Sequence, residues 1–249
     1  MSTVEAVFVV LAGVFAGGIN TIVGSGTLVT FPVLLAVGLP PITANVSNSL
    51  GLVPGSLSGA WGYRRELAGQ KPRIARLLPA SLLGGVVGAV LLVNLPDDAF
   101  AAIVPVLIAI ALVLVVVQPW LNRRLAEVHR PANGGLVLWA GIFFAGIYGG
   151  YFGAAQGVLV MGLMGVLMNE HLQRMNALKN LLTAFVNLVA GLVFVFIADV
   201  DWLAVALLAA GSVVGGQLGA RVGRRLPPAA LRAVIVVVGV VAIVQMLSR

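Results

Sequence analysis

Long hydrophobic stretches alternate with short polar ones along the whole chain, and this pattern predicts five helical segments in each half. Most of the segments, with their flanks, approach the ~20 residues that a helix needs to cross a bilayer. The second segment of each half, 27–37 or 156–167, is too short, because at ~1.5 Å per residue it covers about 18 Å of a hydrocarbon layer ~30 Å thick. We therefore expect each short segment to form a hairpin, or re-entrant unit, with the segment before it.

The predicted segments of the first half are 4–23, 27–37, 44–63, 74–94 and 99–120. Those of the second half are 135–152, 156–167, 175–197, 202–220 and 229–247. The sequence thus predicts an all-α polytopic membrane protein with two membrane repeats, 1–124 and 134–249, and a linker at 125–133.

The two halves share a sequence pattern, which supports an internal duplication. Phe-Ala-Gly occurs at 15–17 and again at 144–146. Each copy is followed by a break on small residues, Gly-Ser-Gly at 24–26 and Gly-Ala-Ala at 153–155. Later matches follow in the same order. They include Gly84 and Gly88 in the first half and Gly215 and Gly219 in the second, with a spacing that is typical of close helix packing.

Positive charge predicts the orientation of the segments in the membrane, since cytoplasmic connections are rich in lysine and arginine. The basic residues of the connections are Arg64, Arg65, Lys71, Arg73, Arg76, Arg123, Arg124, Arg130, Arg174, Arg221, Arg224, Arg225 and Arg232. The intervening connections contain only acidic charge, at 97, 98, 199 and 201. The first hairpin then begins and ends outside the cell, the second begins and ends inside, and both termini are external. The repeats are therefore expected to be inverted, each with a broken hairpin and three transmembrane helices, and the linker to be cytoplasmic.

Composition agrees with a membrane protein and limits its chemistry. Of 249 residues, 60% are hydrophobic and 9% are charged, whereas soluble domains are about one-quarter charged. The net charge of +7 lies in short connections, so it indicates membrane orientation and not nucleic-acid binding. With no cysteine and two separated histidines, the sequence indicates no metal cluster, catalytic residue or cofactor, and we do not expect an enzyme.

The two interruptions are the first candidate binding site. Gly24, Ser25 and Gly26 allow a tight turn that brings amide N–H groups close to a ligand. Thr27 and Gln156 are expected to begin the two short helices, whose N-terminal dipoles attract anions. Inverted repeats would bring both tips to one central site. The alternative is that the small residues only allow helices to pack closely.

Polar residues on the segment after each hairpin extend this candidate site. In the first half Asn45, Asn48 and Ser49 share one helical face, and in the second half Asn176, Lys179 and Asn180 do the same. Neutral amides suit an anionic or polar ligand, and the alternative is that they form hydrogen bonds between helices.

Lys179 is the only basic residue clearly inside a predicted segment, where an ionisable group is costly and indicates function. Its ammonium would supply the counter-charge of an anion. The alternative is that it extends to the cytoplasmic interface. No Asp or Glu lies deep inside a predicted segment, which favours an anionic or neutral substrate over a cation.

These features resemble the TauE/SafE sulfite-exporter family of membrane proteins. The resemblance lies in residues 15–17, 24–26, Phe-Pro at 31–32 and the stretch 44–49, with a weaker second copy over 144–179. The duplicated layout covers essentially the whole chain. The resemblance implies movement of sulfite, organosulfonates or related small sulfur-containing anions, often outward.

We therefore expect a multi-pass transporter of the bacterial inner membrane that exports a small sulfur-containing oxyanion by alternating access. Its expected partners are that anion and the lipid bilayer, and a homo-oligomer is left open. Two other functions also stay open at this stage. One is a membrane scaffold or assembly factor, whose hairpin tips would pack without a polar cavity, and the other is an anion channel.

Overall fold

The computed structural model describes residues 1–125 and 135–222, together with positions 233, 236, 237, 240, 241, 243 and 244. Within the two continuous ranges, every regular element is an α-helix. The helices of these ranges are α1 (Thr3–Ile22), α2 (Thr27–Ala36), α3 (Pro41–Gly62), α4 (Lys71–Val93), α5 (Asp97–Leu125), α6 (Gly135–Tyr151), α7 (Gln156–Leu167), α8 (Leu172–Ile197) and α9 (Trp202–Val222).

The predicted helical segments are confirmed over these ranges. The two short helices, α2 with 10 residues and α7 with 12, begin at the residues that the sequence predicts. The predicted segment 229–247 lies outside the described residues except at the seven single positions. The positions 126–133 of the predicted linker and the basic residues Arg130, Arg224, Arg225 and Arg232 also lie outside them.

Four helices of the described ranges, α1, α4, α8 and α9, are long and apolar enough to cross a membrane by length and composition. Shorter apolar helices accompany them in α2, α6, α7 and the middle of α5. With 22 residues, α3 is as long as the first group, but its buried asparagines and serines lower its mean hydropathy. The chain is thus a polytopic helical membrane protein, and α3 has a polar face turned into the protein.

Helices of the two halves pack against each other reciprocally. The first helix of each half packs on the fourth helix of the other half, in the pairs α1–α9 and α4–α6. Helices α3 and α8 pack on each other, and each also packs on the fourth helix of the opposite half, α9 or α4. Helix α3 also packs on α1 and α2, and α8 packs on α6, α7 and α1, so their polar faces can reach the hairpin ends.

Glycines allow the closest of these contacts. On α4, a Cβ atom at Gly84 would collide with the carbonyl oxygen of Phe143 on α6. On α9, a Cβ at Gly215 would collide with the carbonyl oxygen of Val14 on α1. A Cβ at position 88 or 219 would meet the α6 or α1 backbone in the same way. The packing role that the sequence predicts for these four glycines is confirmed.

Aromatic side chains fill the space beside the hairpin ends. Phe31 of α2 packs edge to face on Phe152, which follows α6, with ring centroids 5.3 Å apart. Phe100 of α5 contacts Phe152 at 6.2 Å in a similar geometry. All three side chains are buried, so an apolar aromatic cluster borders the region where the two chain interruptions lie.

Neighbouring glycines of α1 provide a test of this packing. A Cβ at Gly17 would collide with the Ser212 carbonyl of α9, whereas the nearest atom to a Cβ at Gly18 would be the Gly215 oxygen, 3.5 Å away. We expect Gly17→Ala to lower the stability in detergent by about 1–3 kcal/mol, because backbone atoms must move apart. Gly18→Ala should be neutral or slightly stabilising, because alanine is the better helix former. Thermal unfolding of both variants measures the difference, and equal midpoints would contradict this packing.

Candidate functional site

The two chain interruptions meet in the tertiary structure. Each hairpin turns on a glycine in the left-handed region, with φ of +89° at Gly24 after α1 and +75° at Gly153 after α6. The N–H of Gly157 donates a hydrogen bond to the Gly24 carbonyl at 3.1 Å, and a Cβ on Gly24 would lie 2.5 Å from the Gly157 Cα. The N-terminal ends of α2, at Thr27, and α7, at Gln156, are therefore brought to one place.

Polar side chains of α8 bind the end of α1, which stops inside the protein. The Lys179 ammonium donates to the carbonyl oxygens of Asn20 at 2.9 Å and Thr21 at 3.3 Å. The side-chain amides of Asn176 and Asn180 also donate to the Thr21 oxygen, at 3.1 and 3.2 Å. Lys179 is fully buried. Its ammonium therefore does not extend to the cytoplasmic interface in this structure.

The Thr21 carbonyl oxygen is surrounded by more hydrogen-bond donors than it has lone pairs. A carbonyl oxygen has two lone pairs, but three N–H groups, one of them cationic, converge on this oxygen. An ammonium and two amides are the groups that bind oxyanions by charge-assisted hydrogen bonds. The cluster of Asn176, Lys179 and Asn180, which we call the α8 cluster, can therefore offer at least one donor to a bound anion.

The first half contains a related arrangement around α3. The Asn45 amide donates to the carbonyl of Tyr151, at the end of α6, at 2.9 Å. This bond parallels the one from Asn176 to the end of α1. The spacing of Asn45 and Asn48 on α3 is also that of Asn176 and Lys179 on α8. Helices α3 and α8 therefore each bind the inner end of the other half's hairpin helix through asparagine side chains.

Asn48 binds the short helix of its own half. Its amide donates to the Thr27 hydroxyl at 3.2 Å, and the Thr30 hydroxyl donates back to its carbonyl oxygen. Ser49 lies next to Asn48 but donates to the Asn45 carbonyl of its own helix, at 2.9 Å. The structure thus joins Asn48 and Thr27 in one hydrogen-bonded group, which we call the α3 cluster, while the Ser49 hydroxyl bonds within α3.

Several buried polar atoms at the hairpin tips have no hydrogen-bond partner within the described part of the chain. They include the hydroxyl of Ser25, the Nε2 of Gln156, and the side-chain oxygens of Asn45 and Asn176. Ser25 is 1% exposed and Gln156 is 3% exposed. Leaving such groups unpaired costs about 1–3 kcal/mol each, so polar atoms without partners indicate a place for a polar ligand.

The amide of Gly26 has a partner within the protein, because its N–H donates to the Asn20 side chain at 3.4 Å. Asn20 and Thr30 are functional candidates that sequence reasoning missed. Asn20 had a recognisable signal, a single amide near the end of an apolar segment. The carbonyls of Thr21 and Tyr151 had none, because every residue has one.

The site is closed to solvent and contains one charged group. Among the side chains that the structure describes, Lys179 is the only charged one that is buried. Over the same residues, no group of three or more histidines and carboxylates is placed to hold a metal ion. The arrangement therefore offers hydrogen-bond donors and one basic side chain, which are groups that suit an anion or a polar molecule, and it is closed in this conformation.

A second polar cluster connects α4 to the turn between α7 and α8. The Glu170 carboxylate pairs with Arg73 at the start of α4 and with Arg174 of α8 at 3.2 Å. Burial alone would raise the pKa of Glu170, but hydrogen bonds from Arg73, the His171 N–H and Arg174 outweigh it and lower the pKa to about 2. The Gln70 amide adds a bond to the Arg174 carbonyl at 2.9 Å. This network ties the second hairpin to the first half of the chain.

Comparison with known proteins gives consistent matches over nearly the whole chain. The model of a family described as "Sulfite exporter TauE/SafE" matches residues 9–246. "Probable membrane transporter protein ORF9" of Sinorhizobium sp. is 29% identical over 97% of this chain and 92% of its own. A "Probable membrane transporter protein" of Haemophilus influenzae is 28% identical over 84% of this chain and 81% of its own. "Probable membrane transporter protein YfcA" of Escherichia coli is 29% identical, over 91% and 83%. No solved structure matches the chain.

The Glu170 network predicts a pH-dependent stability. Glu170→Gln should lower the stability at pH 7 by about 2 kcal/mol, since the charged hydrogen bonds are lost. The pKa of Glu170 is lowered from 4.5 to about 2, so the carboxylate stabilises the folded state above about pH 4.5 and this contribution is lost as the pH falls towards 2. Thermal unfolding at pH 7 and pH 3 measures it. The exposed Asp199→Asn is the control, and a gap between wild type and Glu170→Gln that does not shrink at pH 3 would contradict the assignment.

Proposed function

Because the chain belongs to the sulfite exporter TauE/SafE family, we propose that it exports a small sulfur-containing oxyanion, such as sulfite or a sulfonate, across a bacterial inner membrane by alternating access. The chain is a multi-pass helical membrane transporter of that family. The substrate, the direction and the transport cycle are the proposal, and the α8 cluster is the observation that best supports an anionic substrate.

The donors at the hairpin tips support an oxyanion as substrate. Lys179 offers a positive charge, and Asn176 and Asn180 offer amide N–H groups, around a carbonyl that cannot hold all three. Ser25 and Gln156 contribute buried polar atoms without a partner at the contact between the two tips. Sulfite and the sulfonate group each have three oxygens that face different directions, which suits donors that converge from two hairpins.

The closed site supports alternating access. Ser25, Gln156 and Lys179 are all buried in this conformation, so a ligand held by them would be shut off from both sides of the membrane. The parts that would move are the two hairpins, which contact each other through the backbone hydrogen bond between Gly157 and Gly24 and through the packing of Phe31 on Phe152. Movement of one hairpin would open the site to one side of the membrane, and movement of the other hairpin would open it to the opposite side.

Closed tips are also what a non-transporting scaffold would have. Buried polar atoms without partners favour the transporter, because a scaffold gains nothing from leaving a hydroxyl and an amide unpaired at its centre.

Export needs no coupled ion in this proposal. An inside-negative membrane potential favours exit of an anion by ~2.3 kcal/mol per charge per 100 mV.

The proposed topology has inverted repeats with both termini outside the cell. The basic connection between α3 and α4 would be cytoplasmic, as the positive-inside rule predicts for Arg64, Arg65 and Lys71. The reciprocal packing of α1 on α9 and of α6 on α4 supports two halves related by a pseudo-twofold axis in the membrane plane.

Sulfite flux in proteoliposomes tests the substrate site. We expect Lys179→Met to lower flux at least about tenfold, since a hydrogen bond to a charged group contributes about 1.5–3 kcal/mol. Asn48→Ala should lower flux severalfold, because the hydroxyls of Thr27 and Thr30 lose the side chain that holds them in place. Gln217→Ala is the matched control. It removes the hydrogen bond that the Gln217 side-chain amide of α9 donates to the Ser58 carbonyl of α3, and it does not touch the hairpin tips. Wild-type flux in correctly inserted Lys179→Met and Asn48→Ala would exclude the site.

Single cysteines test the topology, since the chain has none of its own. An impermeant maleimide should label Ser2→Cys and Asp199→Cys in intact spheroplasts. Ala68→Cys, in the exposed connection between α3 and α4, should react only after permeabilisation. Labelling of Ala68→Cys in intact spheroplasts would reverse the proposed orientation.

A further inference from the structure

The charge of the site sets a limit on the charge of its ligand. Lys179 is the only charged side chain among the buried residues that the structure describes. The other groups at the hairpin tips, such as Ser25, Thr27 and Gln156, are neutral. The closed site therefore contains a single side chain that can carry a positive charge.

That charge lies directly beside the contact between the two tips. A Cβ atom on Gly157 would lie 3.1 Å from the Lys179 Cδ and 2.5 Å from the Gly24 Cα. The lysine side chain thus passes along the place where the hairpins meet, and its ammonium reaches the carbonyls of Asn20 and Thr21. Any ligand bound at the tips lies within reach of this one ammonium.

The helix ends around Lys179 carry partial charges that largely offset one another. The C-terminal ends of α1 and α6 are partly negative and the N-terminal ends of α2 and α7 are partly positive, so the net charge of the site depends on Lys179. A singly charged anion then makes the closed site about neutral. A dianion leaves an uncompensated negative charge in a low-dielectric interior, which is strongly unfavourable.

The repeat pattern shows where a second charge is lacking. Asn45 and Asn176 both bind the inner end of a hairpin helix, and three residues further along each helix come Asn48 and Lys179. In the second half this position is a lysine. In the first half it is an asparagine that bonds with the hydroxyls of Thr27 and Thr30.

We propose that the site accepts a singly charged sulfur oxyanion, such as hydrogensulfite or an organosulfonate, and rejects dianions such as sulfate, with Lys179 and Asn48 together setting this charge selectivity. The inference rests on the proposed function, because it names which charge state the same site takes. It makes Asn48 a specificity-determining residue whose neutrality matters as much as the charge of Lys179.

Methanesulfonate and sulfate are the probes, since they have similar tetrahedral shape and differ by one charge. Binding of each to the purified full-length protein in detergent is measured by titration calorimetry at pH 6. Wild type should bind methanesulfonate at least about tenfold more tightly than sulfate. Equal affinities would overturn the inference while leaving the proposed oxyanion transport intact, provided that sulfite flux is observed. Absence of binding by both probes together with absence of sulfite flux would overturn the proposed function as well.

Adding and moving the charge tests the role of position 48. Asn48→Lys should change the preference towards sulfate by about tenfold or more, because the site then holds two ammonium groups. Asn187→Lys adds a lysine to α8 two turns beyond Lys179, outside the α8 cluster, and it should leave the preference unchanged. The double variant Asn48→Lys with Lys179→Asn keeps one charge and should still prefer methanesulfonate. A preference for sulfate in this double variant, or no change in Asn48→Lys, would contradict selection by charge count.

Discussion

Two helices, α1 and α6, end inside the protein, and their last carbonyls must find hydrogen-bond donors there. The final carbonyls of a helix have no partner within it, and the hydrocarbon of a membrane offers no water in compensation. Asn176, Lys179 and Asn180 of α8 supply the donors for α1, and Asn45 of α3 supplies one for α6. This requirement places α3 and α8 against both hairpins and explains why helices within a membrane protein retain buried polar faces.

The same requirement creates the chemistry of the site. Donors gathered for helix carbonyls are also the donors that an oxyanion needs, and the Thr21 oxygen cannot satisfy the three that surround it. Under the proposed function, the ligand and the end of α1 compete for one set of N–H groups. Ligand binding and the position of the first hairpin are then linked through Lys179, without a separate signalling element.

Around this centre, the described helices are held together in two different ways. Glycine contacts bring the backbones of α1 and α9, and of α4 and α6, so close that no side chain fits between them. We expect each pair to move as a rigid unit, because such a contact allows little sliding. The turn before α8 is held instead by the ion pairs of Glu170 with Arg73 and Arg174. Ion pairs can break and re-form in water, so they suit the edge of a part that moves.

The apolar pattern by itself determined the helices, including the first residues of α2 and α7, because hydrophobic length and chain-breaking glycines act locally. It also singled out Asn48 and Lys179, since a polar residue in a membrane segment is conspicuous in any sequence. Only the tertiary structure decided what these side chains bind. Lys179 is near enough to a helix end to reach the interface, and it stays buried because the end of α1 lies beside it. The carbonyls of Asn20, Thr21 and Tyr151 matter through their position in space, which no local pattern of residues records.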